Sequence, residues 1–194
     1  MKNKIFCTLL AVLMLLSLVS CDRRVEKVYD RPSIVTTNFA MFDFARAVAG
    51  NTADIAMLLT PGNESHDFEV TLADLAQIEK ADLFICVGGE SEIDWVNGAL
   101  ISIYDPPETI AALQLCRTYE EEVVEGMTPT DEDEDEEDAV DEHCWTSLEN
   151  AKRIIEVIVE RLGNKFPEYA EIFRKNADEY IARLDDIKDK LTEV

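Results

Sequence analysis

Between Ser33 and Pro107 the chain changes hydrophobic period five times, and that alternation constrains its fold more than any other feature. Ser33 to Thr37 is a short β-branched run, Phe39 to Val48 carries apolar residues at helical spacing before Gly50, and Asp54 to Leu59 is a second extended run entering Pro61-Gly62. Thr71 with Asp74 has the spacing of a capping box and opens a helix through Leu72, Leu75, Ala76 and Ile78. Asp82 to Val87 is almost wholly apolar, as in a strand covered on both faces, and Gly88-Gly89 ends it. Ser91 is the expected cap of a helix to about Ile103, and Pro106-Pro107 closes the unit. Short strands alternating with helices predict an α/β fold, a parallel sheet with helices on both faces, and ligands then sit beyond the carboxyl ends of the strands.

Residues 108 to 116 read as a fourth strand. Beyond Trp145 the pattern is helical: Ser147 is a candidate N-cap, and Ile154, Ile155, Ile158 and Leu162 form a stripe ending at Gly163. Pro167 suits the first position of another helix. There Tyr169, Phe173, Ala177, Tyr180, Leu184, Ile187 and Leu191 follow at steps of three and four, one stripe along roughly 40 Å of helix. Part of that stripe has no evident partner in the sequence.

The amino terminus reads as a processing signal. Lys2 and Lys4 precede an apolar run from Ile5 to Leu16, too short for the roughly 20 residues of a spanning helix. Leu18-Val19-Ser20-Cys21 then resembles a bacterial lipobox, which implies a signal peptide over 1–20 and lipidation of Cys21. Residues 21–32 read as a tether, leaving a domain held on the extracytoplasmic face of the cell membrane. Cys86, Cys116 and Cys144 remain, an odd number for an exported chain, so at least one is expected to be a free thiol unless it pairs between chains.

The formal net charge is −23, and loss of Lys2 and Lys4 takes it to −25. Fourteen acids and no base lie from Glu120 to Glu142, so 118–142 reads as a disordered solvated loop that gathers cations weakly. Such a surface excludes nucleic acid and anionic lipid as partners.

Only two histidines occur, and each sits in a segment with metal-ligand character: His66 in Pro61-Gly62-Asn63-Glu64-Ser65-His66-Asp67-Phe68-Glu69, His143 in Asp141-Glu142-His143-Cys144-Trp145. Neutral imidazole suits divalent transition metals, and neighbouring carboxylates such as Glu64, Asp67 or Glu69 orient it. The bland reading of each is an exposed loop histidine beside acids. Trp95 and Trp145 are read as packing residues.

These motifs in order, with Ala81-Asp82-Leu83-Phe84-Ile85, Gly88-Gly89-Glu90-Ser91, Trp95 and Glu149-Asn150-Ala151, resemble the zinc and manganese substrate-binding lipoproteins of ABC transporters. The resemblance runs from about Ser33 to the last residue. It implies one lobe of a two-lobed periplasmic-binding-protein-like fold, with a metal-binding α/β lobe at 33–163 and a long linking helix at 164–194. His66 and His143 fall on the two metal-binding histidines of the amino-terminal lobe, with Zn²⁺, or Mn²⁺, as transported ligand and an ABC permease as partner.

The departures are Glu142 and Leu148 where the family usually has proline, Cys144 beside a ligand, and a second lobe, source of the remaining ligands, that is absent from this sequence. A truncated adhesin-like surface lipoprotein with an incomplete metal site is the alternative. A metal-dependent hydrolase is set aside, because even an open catalytic zinc site needs three protein ligands. No enzymatic role is expected.

Overall fold

The structure is a computed structural model, and it describes residues 31–60, 62–119 and 140–192. The expected signal peptide, Cys21, most of the expected tether and residues 120–139 of the acidic run lie outside the described residues. Four strands, β1 (Ser33–Thr36), β2 (Asp54–Met57), β3 (Leu83–Cys86) and β4 (Glu108–Ala111), form one sheet in the order β2-β1-β3-β4. All three pairings are parallel, with Val35 opposite Ala56 and Phe84, and Ile85 opposite Ile110. From β1 the chain passes outward to β2 and returns to β3 on the other side, so the strand order reverses between β1 and β3.

Among the described residues five α-helices cover the sheet: α1 (Phe39–Ala49), α2 (Leu72–Glu79), α3 (Glu90–Ser102), α4 (Leu148–Lys165) and α5 (Ala170–Thr192). Side chains alternate across a strand, and the two cores divide accordingly. Ile34, Leu83 and Ile85 pack with Met41, Phe44, Ile154, Ile158 and Phe173 on one face. Val35, Phe84 and Cys86 pack with Ile78, Val96 and Ala99 on the other. β3 is buried at every position because it is central and covered twice.

Local chemistry sets the helix ends. Asn38 accepts the Met41 N–H at 3.1 Å to start α1, and Gly50, with φ of 56°, ends it while its N–H reaches Arg46 O. The capping box at Thr71 and Asp74 is present in both directions.

Three expectations need correction. Ser91 does not cap α3; Gly89 holds the cap position without a side-chain bond. The expected strand 108–116 stops at Ala111 and tightens into a 3₁₀ turn over Ala112–Leu115, which packs Ala112 into the core. Gly163 does not end α4, which runs on to Lys165, because this glycine keeps a negative φ rather than the left-handed turn that stops a helix.

Pro167 opens a 3₁₀ turn, Pro167–Tyr169, that leads directly into α5. α5 lies against α1 and α4. Phe173, Ala177 and Leu184 are buried there, the Tyr180 hydroxyl donates to Asp43 at 2.7 Å, and Asn176 donates to Val48 O at 3.0 Å. Glu156 pairs with Arg174, and Glu149 with Lys188. Further along the same stripe Ile187 is 45% and Leu191 69% exposed, so the run without an evident partner in sequence is its last turns. Among the described residues no helix is long and apolar enough to cross a membrane.

Candidate metal centre

At the carboxyl ends of the strands a cleft of about 550 Å³ opens. Asn38 lines it after β1, Leu59 and Asn63 to His66 after β2, Val87 and Glu90 to Glu92 after β3, and Val140, Glu142, His143 and Trp145 from the segment ahead of α4. Both sequence-predicted histidines therefore border one hollow. They reach it from loops far apart in the chain because a parallel sheet gathers all its carboxyl-end connections on one edge.

The His66 loop turns tightly. Phe68 N–H bonds Ser65 O at 3.2 Å, Asn63 N–H bonds Thr60 O at 3.1 Å, and the Phe68 ring packs on Trp95 of α3 with centroids 4.9 Å apart. His66 itself is exposed. Of its three neighbouring acids, Glu64 shares the cleft, whereas Asp67 and Glu69 line an adjacent hollow.

His143 stands at the start of a 3₁₀ turn, Cys144–Thr146, its side chain 68% exposed. Its backbone N–H donates to Asp141 Oδ1 at 2.8 Å, and its Nδ1 lies 3.0 Å from the same oxygen. The backbone bond, joined by the ring, holds the Asp141 carboxyl below the usual carboxylate range. A carboxylate only accepts, so this contact requires the proton on Nδ1 and leaves the Nε2 lone pair of the neutral ring directed elsewhere. Trp145 packs beside the ring at 5.3 Å.

The floor of the cleft holds two acids whose roles lie outside any local motif. Glu142 reaches across to α3: its Oε1 accepts the Ser91 N–H at 2.8 Å and its other oxygen meets the Ser91 hydroxyl. A carboxylate thus occupies the helix N-terminus where a side-chain cap was expected, a favourable place for negative charge. Gly89 permits it, since a Cβ there would lie 2.3 Å from Glu142 Cδ. Glu92 is 2% exposed, and its Oε1 accepts from Val87 N–H at 2.8 Å and Thr37 Oγ1 at 3.4 Å, while Oε2 has no protein partner. Burial pushes its pKa up to about 7, and Glu142 adds repulsion. Among the described residues no three His, Cys, Asp or Glu side chains converge closely enough to hold an ion.

The family model for the periplasmic zinc-uptake complex component A matches residues 34–194. A zinc-binding lipoprotein, AdcA, of Streptococcus pneumoniae serotype 4 is 34% identical over 183 residues, which cover 91% of this chain and 35% of that protein. The high-affinity zinc uptake system protein ZnuA of Bacillus subtilis strain 168 is 32% identical over 84% of this chain and 50% of its own length. The crystal structure of Zn(II)-bound AdcA from Streptococcus pneumoniae superimposes with a TM-score of 0.68 at 26% identity, covering 84% of this chain and 32% of that one. The chain therefore spans between about a third and a half of the length of these curated relatives. With a parallel α/β fold that brings both histidines to the border of a cleft, and a family model spanning nearly all the described residues, the chain belongs to the zinc-uptake complex component A family.

Proposed function

We propose that this chain is the amino-terminal metal-binding lobe of an extracytoplasmic solute-binding protein that captures Zn²⁺, with Mn²⁺ as second choice, and hands it to an ABC permease. The observation that carries the reading is that His66 and His143, the chain's two histidines, border the same cleft at the sheet's carboxyl edge. Asp141 orients His143 in the way a carboxylate supports a metal-bound imidazole. The ion is cargo, so a site easily opened to solvent suits the task better than a closed structural one. Zinc takes four ligands in tetrahedral array. In this reading the histidines supply two, and the others come from outside the described residues.

The relatives' names supply the cargo and the setting, one as a zinc-binding lipoprotein and the other as a high-affinity zinc uptake system protein. Residues 1–20 act as the lipoprotein signal and Cys21 as the lipid-bearing residue, 33–163 form the lobe, and 164–194 form its linking helix. Imidazole ligands favour zinc, whereas manganese prefers more oxygen.

Isothermal titration with Zn²⁺ tests the reading by comparing the wild type with the His66→Ala, His143→Ala double variant. The expected result is at least a tenfold weaker Kd in the variant, about 1.4 kcal/mol. Equal affinities would overturn it, because the acidic segment would then account for all binding.

A further inference from the structure

The acidic segment begins and ends at a neck. Cys116 and Cys144 flank it as free thiols, Cys144 buried and Cys116 packed against the same core. The backbone around them is clamped by one side chain: Asn150, 5% exposed, accepts the Arg117 N–H at 3.0 Å and donates from Nδ2 to Arg117 O at 2.9 Å and Cys144 O at 3.1 Å. Farther out, Asp141 N–H bonds Tyr119 O at 3.0 Å. The third cysteine of the folded region, Cys86, is buried in the opposite core, facing Ile110 O.

We infer that Cys116 and Cys144 are a disulfide-forming pair that closes the neck of the acidic segment directly beside His143, leaving Cys86 as the free core thiol. The bridge accounts for the odd cysteine count without a bond between chains. It would tie the residue following His143 to the end of the sheet's last connection, fixing the backbone that carries the imidazole.

The chemistry needs an external disulfide, such as a small-molecule disulfide or a thiol oxidase, as oxidant. Cys116, half-buried, is the accessible partner and attacks as thiolate. One sulfur of the oxidant bonds to Cys116 Sγ, and its other sulfur leaves as a thiolate. Cys144 then gives up its proton and attacks Cys116 Sγ, and the second thiolate departs. Two protein thiols are oxidised, and one external disulfide becomes two thiols.

The test is peptide mapping of the intact chain after incubation with oxidised glutathione at pH 8.5, with free thiols alkylated under denaturing conditions. The expected result is one joined peptide pair containing Cys116 and Cys144, two hydrogens lighter than the separate peptides, with Cys86 alkylated. Closing a loop of roughly 30 residues should also raise Tm by about 5 °C or more. Cys116→Ser should abolish the oxidant-dependent rise. Alkylation of both Cys116 and Cys144 after oxidation, a bridge to Cys86, or a bridge between chains would overturn the inference. The thiol map involves no metal, so it succeeds or fails independently of the zinc reading.

Discussion

Glu92 is the residue whose ionisation the fold resists most plainly within the cleft. An ordinary glutamate titrates near 4.5, and burial moves this one to about 7. Below the lower value both folded and unfolded chains hold the proton, so no penalty arises. As pH rises through that window the unfolded chain releases its proton first, and stability falls until the folded carboxyl also ionises near pH 7. The loss is on the order of 3 kcal/mol. Glu92→Gln keeps an acceptor for the Val87 N–H and cannot ionise, so urea unfolding at pH 5 and pH 8 should show a smaller difference in the variant than in the wild type. An unchanged difference would mean that Glu92 does not titrate there. The histidines were legible in sequence because each sits among acids in a short loop motif. Glu92 and Glu142 were not, because their partners are set by packing: Glu142 bonds a serine 51 residues away, and Glu92 is enclosed only once β1, β3 and α3 have met.

Among elements, those with strong local signals emerged close to their expected bounds. β3 was readable because two-sided burial demands a continuous apolar run, and α2 because its capping box is contained within four residues. The end of β4 was not, since 108–116 is apolar whether extended or wound into the 3₁₀ turn that buries Ala112. α5 shows what periodicity cannot convey: its stripe is uniform in sequence, yet packing divides it. Phe173 is fully buried, whereas Leu191 is 69% exposed. Phe173→Ala should therefore cost about 3–5 kcal/mol of unfolding free energy, and Leu191→Ala less than about 0.5 kcal/mol. Equal losses in chemical denaturation would show that the end of α5 is covered in solution.

At the scale of the whole molecule, the proposed capture of a cation would divide between charge and fold. Of 41 acids, twelve lie at 120–139, a segment joined to the lobe through the Asn150 clamp and the Tyr119–Asp141 bond. Composition made its negative charge readable, but not the anchoring of its flanks beside His143, which depends on the amide of Asn150. Diffuse carboxylates bind through long-range fields that salt screens within about 8 Å at physiological ionic strength. Imidazole ligation is short-ranged and persists in salt. Replacing 120–139 with a short Gly-Ser linker should then remove the weak, salt-sensitive part of a Zn²⁺ titration and leave the part that His66→Ala, His143→Ala abolishes. If the linker variant lost the salt-resistant component as well, the acidic segment would be a ligand in its own right, and the cleft between the strand ends and α4 would be only its mounting.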